Sequence, residues 1–503
     1  MLVKAFGPEH DVTMSQPQIH AQHIGILSFG AYIPQRRLQR SAVYAANAWF
    51  APGLKGLAKG ERAIANWDED SITMAVEAGR DCLIGVDRGT VAGVALASTT
   101  LPFADRLNAG VCKEALNLSD DVAALDATGS RRAGTSMLLH ALGGSATRLC
   151  LAADRRKARP ASEAELQQGD AAAAVLVGSG DVIARFIGGH SLTIDFVDHY
   201  RSSGADFDYT WESRWVRDEG YTALLGRALK AGLAKLGRAG ATIDHAIIPN
   251  PVRGVPEALA KAVGIRPEAV TDTLTATVGE SGVAHPLLML AAVLEKAKPG
   301  ETILLAGFGQ GADVLLFEVT DAITKLPKRV GVAGCLASGR ADSNYQRFLF
   351  HRGLLDMERG MRAEADQKQP GTTLYRNRKA ALGLIGGRCT KTGTVQFPKS
   401  EISVNANDRA QNTQEDYPLA DKRVTIKTFT ADSLTYSPDP PNWYGMIDFD
   451  GGGRLIAEFA DVTADDVEVG KQLRMAFRVK AVDELRDFKK YFWKAVPLRQ
   501  GEV

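Results

Sequence analysis

The sequence predicts a layered α/β fold followed by a small all-β unit. Between residues 24 and 319, short apolar runs typical of buried strands alternate with stretches of helical periodicity. Beyond residue 373, short strands of alternating polarity are separated by turn-forming stretches such as PDPPN and GGG. The stretches LCLAADRRK and AAAAVLVGSG also resemble a later pair within ILLAGFGQGADVLLFEV. This internal echo suggests that the α/β part has two similar halves.

The α/β part contains five apolar runs that favour strands and four stretches that favour helices. The predicted strands are Val91–Ala97, Arg148–Ala153, Ala172–Val177, His245–Pro249 and Thr302–Ala306. The predicted helices, with small or apolar residues on at least one face, are Asp70–Leu83, Gly134–Gly143, Tyr221–Lys235 and Pro286–Lys296. Strands that alternate with helices favour a sheet covered by helices. The later strands VTIKTFT, WYGMIDFD, RLIAEFADV and QLRMAFRVKAV favour a small barrel or sandwich.

We expect four segments along the chain. Residues 22–175 and 176–322 form the two halves of the α/β part, and residues 374–500 form the all-β unit. Residues 323–373 between them are rich in Arg, Asp and Gln, and RFLFHRGLLDMERGMRAEADQK predicts a linking helix. A chain of 503 residues is long enough for several folding units of this kind.

The composition predicts a soluble protein of a reducing compartment. Lys and Arg number 60 and Asp and Glu 59, so the charge balance gives no reason to expect nucleic acid or a membrane as a partner. The first residues, MLVKAFGPEHDVTM, lack the apolar core of a secretory signal, and Met14 is an alternative start. We therefore expect a cytoplasmic protein. The cysteines, which form no Cys-x-x-Cys pair, are Cys82, Cys112, Cys150, Cys335 and Cys389.

Five segments between residues 22 and 320 resemble, in the correct order, hydroxymethylglutaryl-CoA synthases of the archaeal and bacterial type. The most specific is GERAIANWDEDSITMAVEAGRDCL, and the others are IGILSFGAYIPQRRL, DATGSRRAGTSMLLHAL, IDHAIIPNP and VGESGVAHPLLMLAAVLEKAKPGETILLAGFGQGADV. The resemblance implies a thiolase-like, five-layered αβαβα fold with two similar halves. It also implies a condensing enzyme that takes an acyl group from CoA onto a cysteine thiolate, assisted by a glutamate and a histidine.

The C-terminal part resembles the OB-fold family that accompanies thiolases and these synthases. In that family a zinc knuckle with four thiolates precedes the barrel, and here GGRCTKTGTVQFPKSEISVNAND occupies its place. Only Cys389 remains, while Thr392, Ser403 and Asn407 occupy the other three positions. A structural zinc ion needs four ligands, typically Cys or His. We therefore expect no metal.

The catalytic residues that the resemblance implies are all replaced in this sequence. Carried over position by position, Arg131 stands in the place of the nucleophilic cysteine and Thr99 in that of the glutamate. Pro249 or Asn250 stands where the histidine is expected, and Glu280 replaces an asparagine. An arginine stays protonated in proteins and cannot attack a thioester. We therefore expect ordinary thiolate condensation to be lost.

The residues that replace the catalytic set allow three interpretations. An arginine before a buried helix needs an anion, so we expect Arg131 and Glu280 to form an ion pair in the former active site. Alternatively, Arg131 or Arg132 binds a carboxylate or phosphate of a ligand, or both are surface arginines displaced by the alignment. A shift of one residue would place Ser130 at the nucleophile position, but a serine without a histidine base is a poor nucleophile.

Other notable residues fit structural roles better than catalytic ones. We expect His285 to pack or cap at a helix start and His245 to lie at a strand end. Gly307–Gly311 fits a tight turn, because no helix follows it to bind a phosphate. The acidic residues 68–70 precede a helix, where they would cap its N-terminus. The cations that could meet a CoA phosphate, but more often lie on a solvated helix face, are Lys230, Lys235 and Arg238.

Three functional hypotheses follow from these replacements. The first is a subunit without condensing activity of its own, which forms a homodimer through the thiolase-like fold and docks a catalytic thiolase. The alternative is an active acyltransferase in which Arg131 and Glu280 stabilise an enolate and move a proton without an acyl-cysteine. The third is an ordinary hydroxymethylglutaryl-CoA synthase. In each case we expect CoA or acyl-CoA as the ligand and no covalently bound cofactor.

Overall fold

A computed structural model describes residues 23–360 and 371–502. The alternative start at Met14 and the end of the predicted linking helix lie outside the described residues. The helices are α1 (Arg40–Asn47), α2 (Ser71–Cys82), α3 (Asn108–Ala115), α4 (Ala133–Ala141), α5 (Glu163–Gln167), α6 (Ser213–Trp215), α7 (Gly226–Lys235), α8 (Val255–Ala262), α9 (His285–Leu294), α10 (Gly331–Ala337), α11 (Tyr345–His351), α12 (Gly371–Arg376) and α13 (Arg378–Ala381). A π-helical stretch, Val216–Leu225, joins α6 to α7.

Strands β1 to β14 belong to the α/β part, and β15 to β23 belong to the all-β part. The first group is β1 (Ile24–Tyr32), β2 (Arg36–Gln39), β3 (Glu61–Ile64), β4 (Gly93–Ala97), β5 (Ala123–Ala127), β6 (Arg148–Asp154), β7 (Ala171–Ser179), β8 (Ala184–Thr193), β9 (His199–Tyr200), β10 (Tyr209–Thr210), β11 (His245–Ile247), β12 (Thr302–Phe308), β13 (Gly311–Val319) and β14 (Arg340–Asp342). The second group is β15 (Ile385–Cys389), β16 (Val395–Gln396), β17 (Gln414–Pro418), β18 (Arg423–Ile426), β19 (Thr430–Asp432), β20 (Asn442–Phe449), β21 (Arg454–Glu458), β22 (Gln472–Asp483) and β23 (Phe488–Pro497).

One nine-stranded sheet runs through the α/β part in the order β11-β12-β13-β8-β1-β7-β6-β4-β5. Its two halves repeat one pairing pattern. In the first, β4 is parallel to β6, which is antiparallel to β7. In the second, β11 is parallel to β12, which is antiparallel to β13. The halves join where β1 meets β8, through only two residue pairs. The prediction of two similar halves is therefore confirmed, and the sequence echo corresponds to β6–β7 and β12–β13.

Three layers of helices cover and separate the two halves, which gives the five layers expected. Helices α4 and α9 lie between the halves, since Val175 of β7 and Leu305 of β12 share their apolar cluster. Helices α2 and α3 cover the outer face of the first half, and α7 and α8 cover that of the second. Strand β7 is buried on both faces, with Ala174 in the cluster of α2 and Val175 in that of α9. This double burial explains its uninterrupted apolar sequence.

Two of the expected segment limits differ from the structure. The limit between residues 175 and 176 falls inside β7, because the polar break that ends this strand comes only at residues 179–181. The expected linker instead adds to the α/β part, since α10 packs on α9 and β1, and β14 pairs with β2 in parallel. Helix α11 ends at His351, well before the predicted end of the linking helix, and Gly353 follows with a φ of 66°.

The all-β part packs directly on α2. It contains a three-stranded sheet, β16-β15-β17, and a six-stranded sheet that comprises β18 to β23. Phe477 of β22 and Trp493 of β23 lie in the same apolar cluster as α2, so the two parts share one continuous core. Within residues 23–360 and 371–502, no helix has the length and apolar character needed to cross a membrane.

The acidic segment before α2 also binds the all-β part. Asp70 caps α2 in a capping box, as predicted. The prediction of capping is wrong for its two neighbours. Glu69 lies 2.7 Å from Nη1 of Arg478, and Asp68 lies 3.0 Å from Nζ of Lys494. Arg478 is only 1% exposed. We call Asp68, Glu69, Arg478 and Lys494 the interdomain cluster, because its carboxylates and cations come from different parts of the chain.

Candidate active site

The start of α4 is fixed by residues of the second half. Nη1 of Arg132 donates to Oδ1 of Asp313 at 2.9 Å, and its Nη2 donates to Oγ1 of Thr193 at 2.8 Å. Ser130 donates its hydroxyl to the carbonyl of Gly309 at 2.9 Å, in the tight turn between β12 and β13 that the glycines predicted. Arg132 is therefore a structural cation that holds α4 against β8 and β13. Because Arg132 is paired within the protein, the interpretation in which it binds a ligand is disfavoured.

Arg131 lies at the N-terminal end of α4, facing two carboxylates. Its Nη1 is 4.0 Å from Oδ2 of Asp198, and its Nη2 is 3.8 Å from Oδ2 of Asp208. The side chain is 19% exposed. The expected ion pair with Glu280 is wrong, since Glu280 instead pairs with Arg156. The physical reason is that the segment around β9 and β10 brings its own carboxylates over the start of α4.

Glu280 belongs to the same group of charges through Arg156. Nη1 of Arg156 donates to Oε2 of Glu280 at 2.7 Å, and Nη2 donates to Oδ2 of Asp208 at 2.6 Å. Burial alone would raise the pKa of Glu280, but the guanidiniums of Arg156 and Arg131 outweigh it and lower the pKa to about 2. We call Arg131, Arg156, Asp198, Asp208 and Glu280 the charge cluster.

Thr99 binds a buried carboxyl group at the end of β6. Oδ1 of Asp154 accepts the backbone N–H of Thr99 at 2.8 Å and the hydroxyl of Ser98 at 3.0 Å. Oδ2 accepts the hydroxyl of Thr99 at 3.1 Å and the backbone N–H of Val283 at 2.9 Å. Burial raises the pKa of Asp154. Thr99 thus ties β4 to β6, and its hydroxyl is not a substitute for a glutamate in proton transfer.

Asn250 and the two histidines that the sequence singled out are already engaged. Oδ1 of Asn250 accepts the backbone N–H of Val252 at 2.9 Å, which orders the turn before α8. Nδ1 of His285 lies 3.1 Å from Oγ of Ser281, and burial lowers the pKa of this imidazole. The packed role predicted for His285 is therefore confirmed. His245 begins β11 and contacts a carboxylate at the sheet end rather than the charge cluster.

None of the cysteines lies at the start of α4. The five thiols are all buried and belong to α2, α3, β6, α10 and β15. Burial raises the pKa of Cys82 and Cys150 to about 12, and it also raises the pKa of Cys112 and Cys335. These four thiols carry little thiolate at neutral pH and are inert as nucleophiles. Hydrogen bonds with Thr392 and Thr413 lower the pKa of Cys389 to about 6, but this thiol lies in β15 of the all-β part.

A basic groove of about 630 Å³ opens next to the turn that contains Asn250. Its apolar side comes from α8, including Val255 and Leu259. Of the cations considered for a CoA phosphate, Lys230 lines this groove, whereas Lys235 donates to the carbonyl of Gly189. The groove's cations are Arg217, Arg227, Lys230 and Arg253.

The knuckle position does not offer a metal site. Sγ of Cys389 lies 3.1 Å from Oγ1 of Thr413, and the hydroxyl of Thr392 donates to Thr394. Across the described ranges, no three His, Cys, Asp or Glu side chains form a group that could hold a metal ion. The hydroxyl and amide groups at the other positions are not the ligands that a structural zinc ion requires.

Comparison with known proteins places both parts of the chain. Residues 418–478 match the ChsH2 C-terminal OB-fold domain, and residues 233–315 match the C-terminal region of 3-oxoacyl-[acyl-carrier-protein] synthase III. The chain is 30% identical over 312 residues to the hydroxymethylglutaryl-CoA synthase of Thermococcus onnurineus, which covers 60% of this chain and 87% of that protein. This chain belongs to the hydroxymethylglutaryl-CoA synthase family. The synthase of Methanosarcina mazei is 29% identical over 345 residues, covering 66% of this chain and 98% of its own length.

Solved structures agree with this family's thiolase-like fold. A hydroxymethylglutaryl-CoA synthase complexed with CoA superposes with a TM-score of 0.56 at 18% identity, covering 69% of this chain and 95% of the other. A Xanthomonas campestris OleA variant with bound lauric acid and lauroyl-CoA gives a TM-score of 0.52 at 19% identity, covering 59% of this chain and 99% of the other. The predicted fold class, a thiolase-like α/β part with a C-terminal OB-fold domain, is therefore confirmed.

Sequence reasoning missed most of this family member's charge cluster. Arg156 is visible in LCLAADRRK as a charged break after a strand, but that pattern alone does not indicate which carboxylate it meets. Asp198 and Asp208 lie in no recognisable motif. His199, whose Nδ1 is 2.9 Å from Oδ2 of Asp198, was missed as well. Burial and the nearby Arg131 lower the pKa of His199, so it is mostly neutral at pH 7.

Proposed function

We propose that this protein handles acyl-CoA without thiolate condensation and acts as a subunit of a thiolase-type C–C bond forming or cleaving assembly in the cytoplasm. The observation that carries the proposal is the position of Arg131, whose guanidinium lies before α4 against Asp198 and Asp208. A permanently protonated group cannot attack a thioester or accept an acyl group.

The pairing within the charge cluster argues against a catalytic role for its residues. Arg156 is held by Glu280 and Asp208, and Arg131 faces Asp208 and Asp198, so each charge in the cluster is compensated by a neighbour. Charges paired in this way are stably held, and none of them is a free base. A substrate that reached the cluster would meet ion pairs at the place where family members carry a nucleophile.

The alternative, an acyltransferase that uses Arg131 and Glu280 without an acyl-cysteine, is less well supported. Such a mechanism needs a proton acceptor, and an acceptor works best when its pKa lies near the working pH. The pKa of Glu280 is lowered to about 2, and its Oε2 is already bound to Arg156 at 2.7 Å. Glu280 is therefore a weak base, which disfavours this second mechanism.

The basic groove supports CoA as a ligand. Arg227, Lys230 and Arg253 have no ion-pair partner within 4.0 Å among the residues that the structure describes, and they surround an apolar strip on α8. Clustered cations bind phosphate groups, and the apolar strip suits the uncharged part of an acyl-CoA. Val252 of the groove donates its backbone N–H to Asn250, so a ligand bound there would lie beside the turn of Asn250.

Two exposed surfaces support the assembly. Strand β5 lies at one end of the nine-stranded sheet, and its Leu125 is 60% exposed, which suits pairing with a second copy. A second surface, which we call the aromatic surface, lies on the segment that carries Asp198 and Asp208. It consists of Tyr200, Tyr209, Trp211 and Trp215, each between 41% and 56% exposed. Exposed aromatic groups next to a ligand site suit a protein partner such as a catalytic thiolase.

The test has two arms. In the first, the purified chain is incubated with acetyl-CoA and acetoacetyl-CoA, and intact mass and released CoA are measured, with the Thermococcus onnurineus synthase as the positive control. We expect no acyl-enzyme and no CoA release above the uncatalysed rate, together with retained CoA binding that weakens in Arg253→Ala. An acylated cysteine or condensation turnover by the chain alone would reject the proposal.

The second arm examines the partner. A tagged chain is used to recover proteins from its native cells, and the recovered complex is assayed for acyl-CoA cleavage and condensation. We expect a thiolase to co-purify and to be lost from a Trp211→Ser variant. Trp49→Ser is the matched control, because Trp49 is 84% exposed on a different surface. Recovery of no acyl-CoA enzyme, or equal loss in both variants, would remove the assembly from the proposal.

A further inference from the structure

A second cavity, of about 700 Å³, lies between the condensing fold and the OB-fold domain. Residues 80–88 at the end of α2 and residues 328–330 form one wall. Residues 421–423 and the C-terminal residues 498–502 form the other. The volume lies within the usual range for small-molecule sites, roughly 300–1,000 Å³. It is separate from the basic groove and from the charge cluster, neither of which contributes a residue to it.

The cavity is lined by a surplus of cations. Eight cationic side chains face five acidic ones. Among residues 23–360 and 371–502, five of the cations have no carboxylate within 4.0 Å, and these are Lys328, Arg329, Lys422, Arg423 and Arg499. Two of these cations donate hydrogen bonds to uncharged groups instead. Nη1 of Arg329 donates to Oγ of Ser28 at 2.9 Å, and Nη1 of Arg499 donates to Sγ of Cys335 at 2.8 Å.

The acidic residues of the cavity are already bound to other groups. Glu77 forms ion pairs with Arg80 at 2.9 Å and with Arg474 at 2.6 Å. Asp421 forms an ion pair with Arg80 at 3.1 Å. Asp81 accepts the backbone N–H groups at the start of α10. The lining therefore keeps a net positive charge, and the cavity attracts anions.

One wall of the same cavity is apolar. It is formed by Leu83, Ile84, Val86 and Leu498, of which Ile84 is 37% exposed. An inorganic ion would leave this wall in contact with water. An organic anion would cover it while its charged end met the arginines and lysines.

We propose that this interdomain cavity binds an organic phosphate of about nucleotide size. Guanidinium and ammonium groups form short, charge-assisted hydrogen bonds with phosphate oxygens, and the apolar wall accommodates the uncharged part of the ligand. Because both domains line the cavity, the ligand binds only the docked arrangement. Binding therefore stabilises the contact between the condensing fold and the OB-fold domain.

Calorimetric titration of the full chain with four probes tests the proposal. The probes are ADP, pyrophosphate, inorganic phosphate and adenosine. We expect ADP to bind most tightly, with an affinity that falls as salt rises, and adenosine to bind poorly. Lys422→Ala and Lys328→Ala should each weaken ADP binding about tenfold, the usual loss for one charge-assisted hydrogen bond. Lys328 is exposed, so its variant keeps the test valid if Lys422→Ala folds poorly.

Two control variants separate this cavity from other basic sites. Lys298→Ala removes an exposed lysine that lines neither cavity, and Arg227→Ala removes a cation of the basic groove. Neither should change ADP binding at the interdomain cavity. Loss of binding in Arg227→Ala alone would overturn the proposal, as would no binding of any phosphate probe. Equal affinities for ADP and inorganic phosphate would show that the apolar wall does not contribute to binding. Equal affinities for ADP and adenosine would show that the cations do not bind the phosphate groups.

Discussion

Arg156 joins Glu280 and Asp208 in the charge cluster, with its two terminal nitrogens 2.7 Å and 2.6 Å from their carboxylate oxygens. Its side chain is only 2% exposed. Replacing it with Arg156→Met leaves two half-buried carboxylates without their closest cation. We expect the free energy of unfolding to fall by about 3 to 5 kcal/mol, measured by chemical denaturation.

Lys157→Met is the matched control for that variant. Lys157 is the next residue along the chain, but it is 37% exposed and pairs with the exposed Asp206. An exposed pair contributes about 0–1 kcal/mol, so the control should stay close to the unmodified protein. If both variants lost the same stability, the charge cluster would not be a stabilising element.

The interdomain cluster predicts a different kind of defect. Arg478 is buried between Glu69, Asp68 and Asp461, so Arg478→Ala removes the cation that pairs with Glu69 and Asp461 and leaves Asp68 with Lys494 alone. We expect the OB-fold domain to undock, which would appear as a separate early transition in thermal unfolding and as faster proteolysis. Lys480→Ala, which removes a 47% exposed cation of the same strand, should leave a single transition. A single unchanged transition in Arg478→Ala would contradict this prediction.

Acid should weaken the contact between α2 and the OB-fold domain, which includes the ion pair of Glu77 with Arg474. Burial alone would raise the pKa of Glu77, but Arg80 and Arg474 outweigh it and lower the pKa from 4.5 to about 2. The folded protein therefore binds fewer protons than the unfolded chain between these values, so stability falls as the pH drops below about 4.5. The shift corresponds to about 3 kcal/mol. Denaturation at a series of pH values should show a smaller acid loss in Glu77→Gln, and an identical loss would refute the assignment.

The edge strand β5 predicts the oligomeric state. Leu125 is 60% exposed in the middle of this strand, and Leu125→Lys places a charge where a second copy would pair. We expect the molar mass measured by light scattering to fall from that of a dimer to that of a monomer. Leu485→Lys, at an 85% exposed position of the OB-fold domain, should leave the mass unchanged. A dimer that survives Leu125→Lys would place the interface elsewhere.

The order of strands and helices was largely predictable from the sequence. Buried strands such as β6, β7 and β12 are short apolar runs, and their alternation with helices such as α2 and α9 determines a layered fold. The echo between β6–β7 and β12–β13 was also readable, because both pairs occupy equivalent positions in the two halves. The limit between residues 175 and 176 was misplaced, since it divides an apolar run that forms one strand as far as Ser179.

The partners of the site residues were not predictable in the same way. The resemblance suggested one site for Arg131 and Glu280, but it could not show that Arg156 binds Glu280 and Asp208. The ion-pair partner of a long side chain depends on its length and on the direction in which the backbone orients it. The family pattern does not specify that backbone geometry. Asp198 and Asp208 come from a segment without apolar periodicity, so nothing in the sequence indicated that they cover the start of α4.

The interdomain cluster has a consequence for how the two domains behave in a dilute cell extract. Its acidic half and its basic half belong to one polypeptide, so their association is intramolecular and its strength is set by an effective local concentration. Between separate chains the same contact would depend on the protein concentration, whereas here the ratio of the two domains stays fixed at one to one. The OB-fold domain therefore accompanies the condensing fold into every complex that the chain enters.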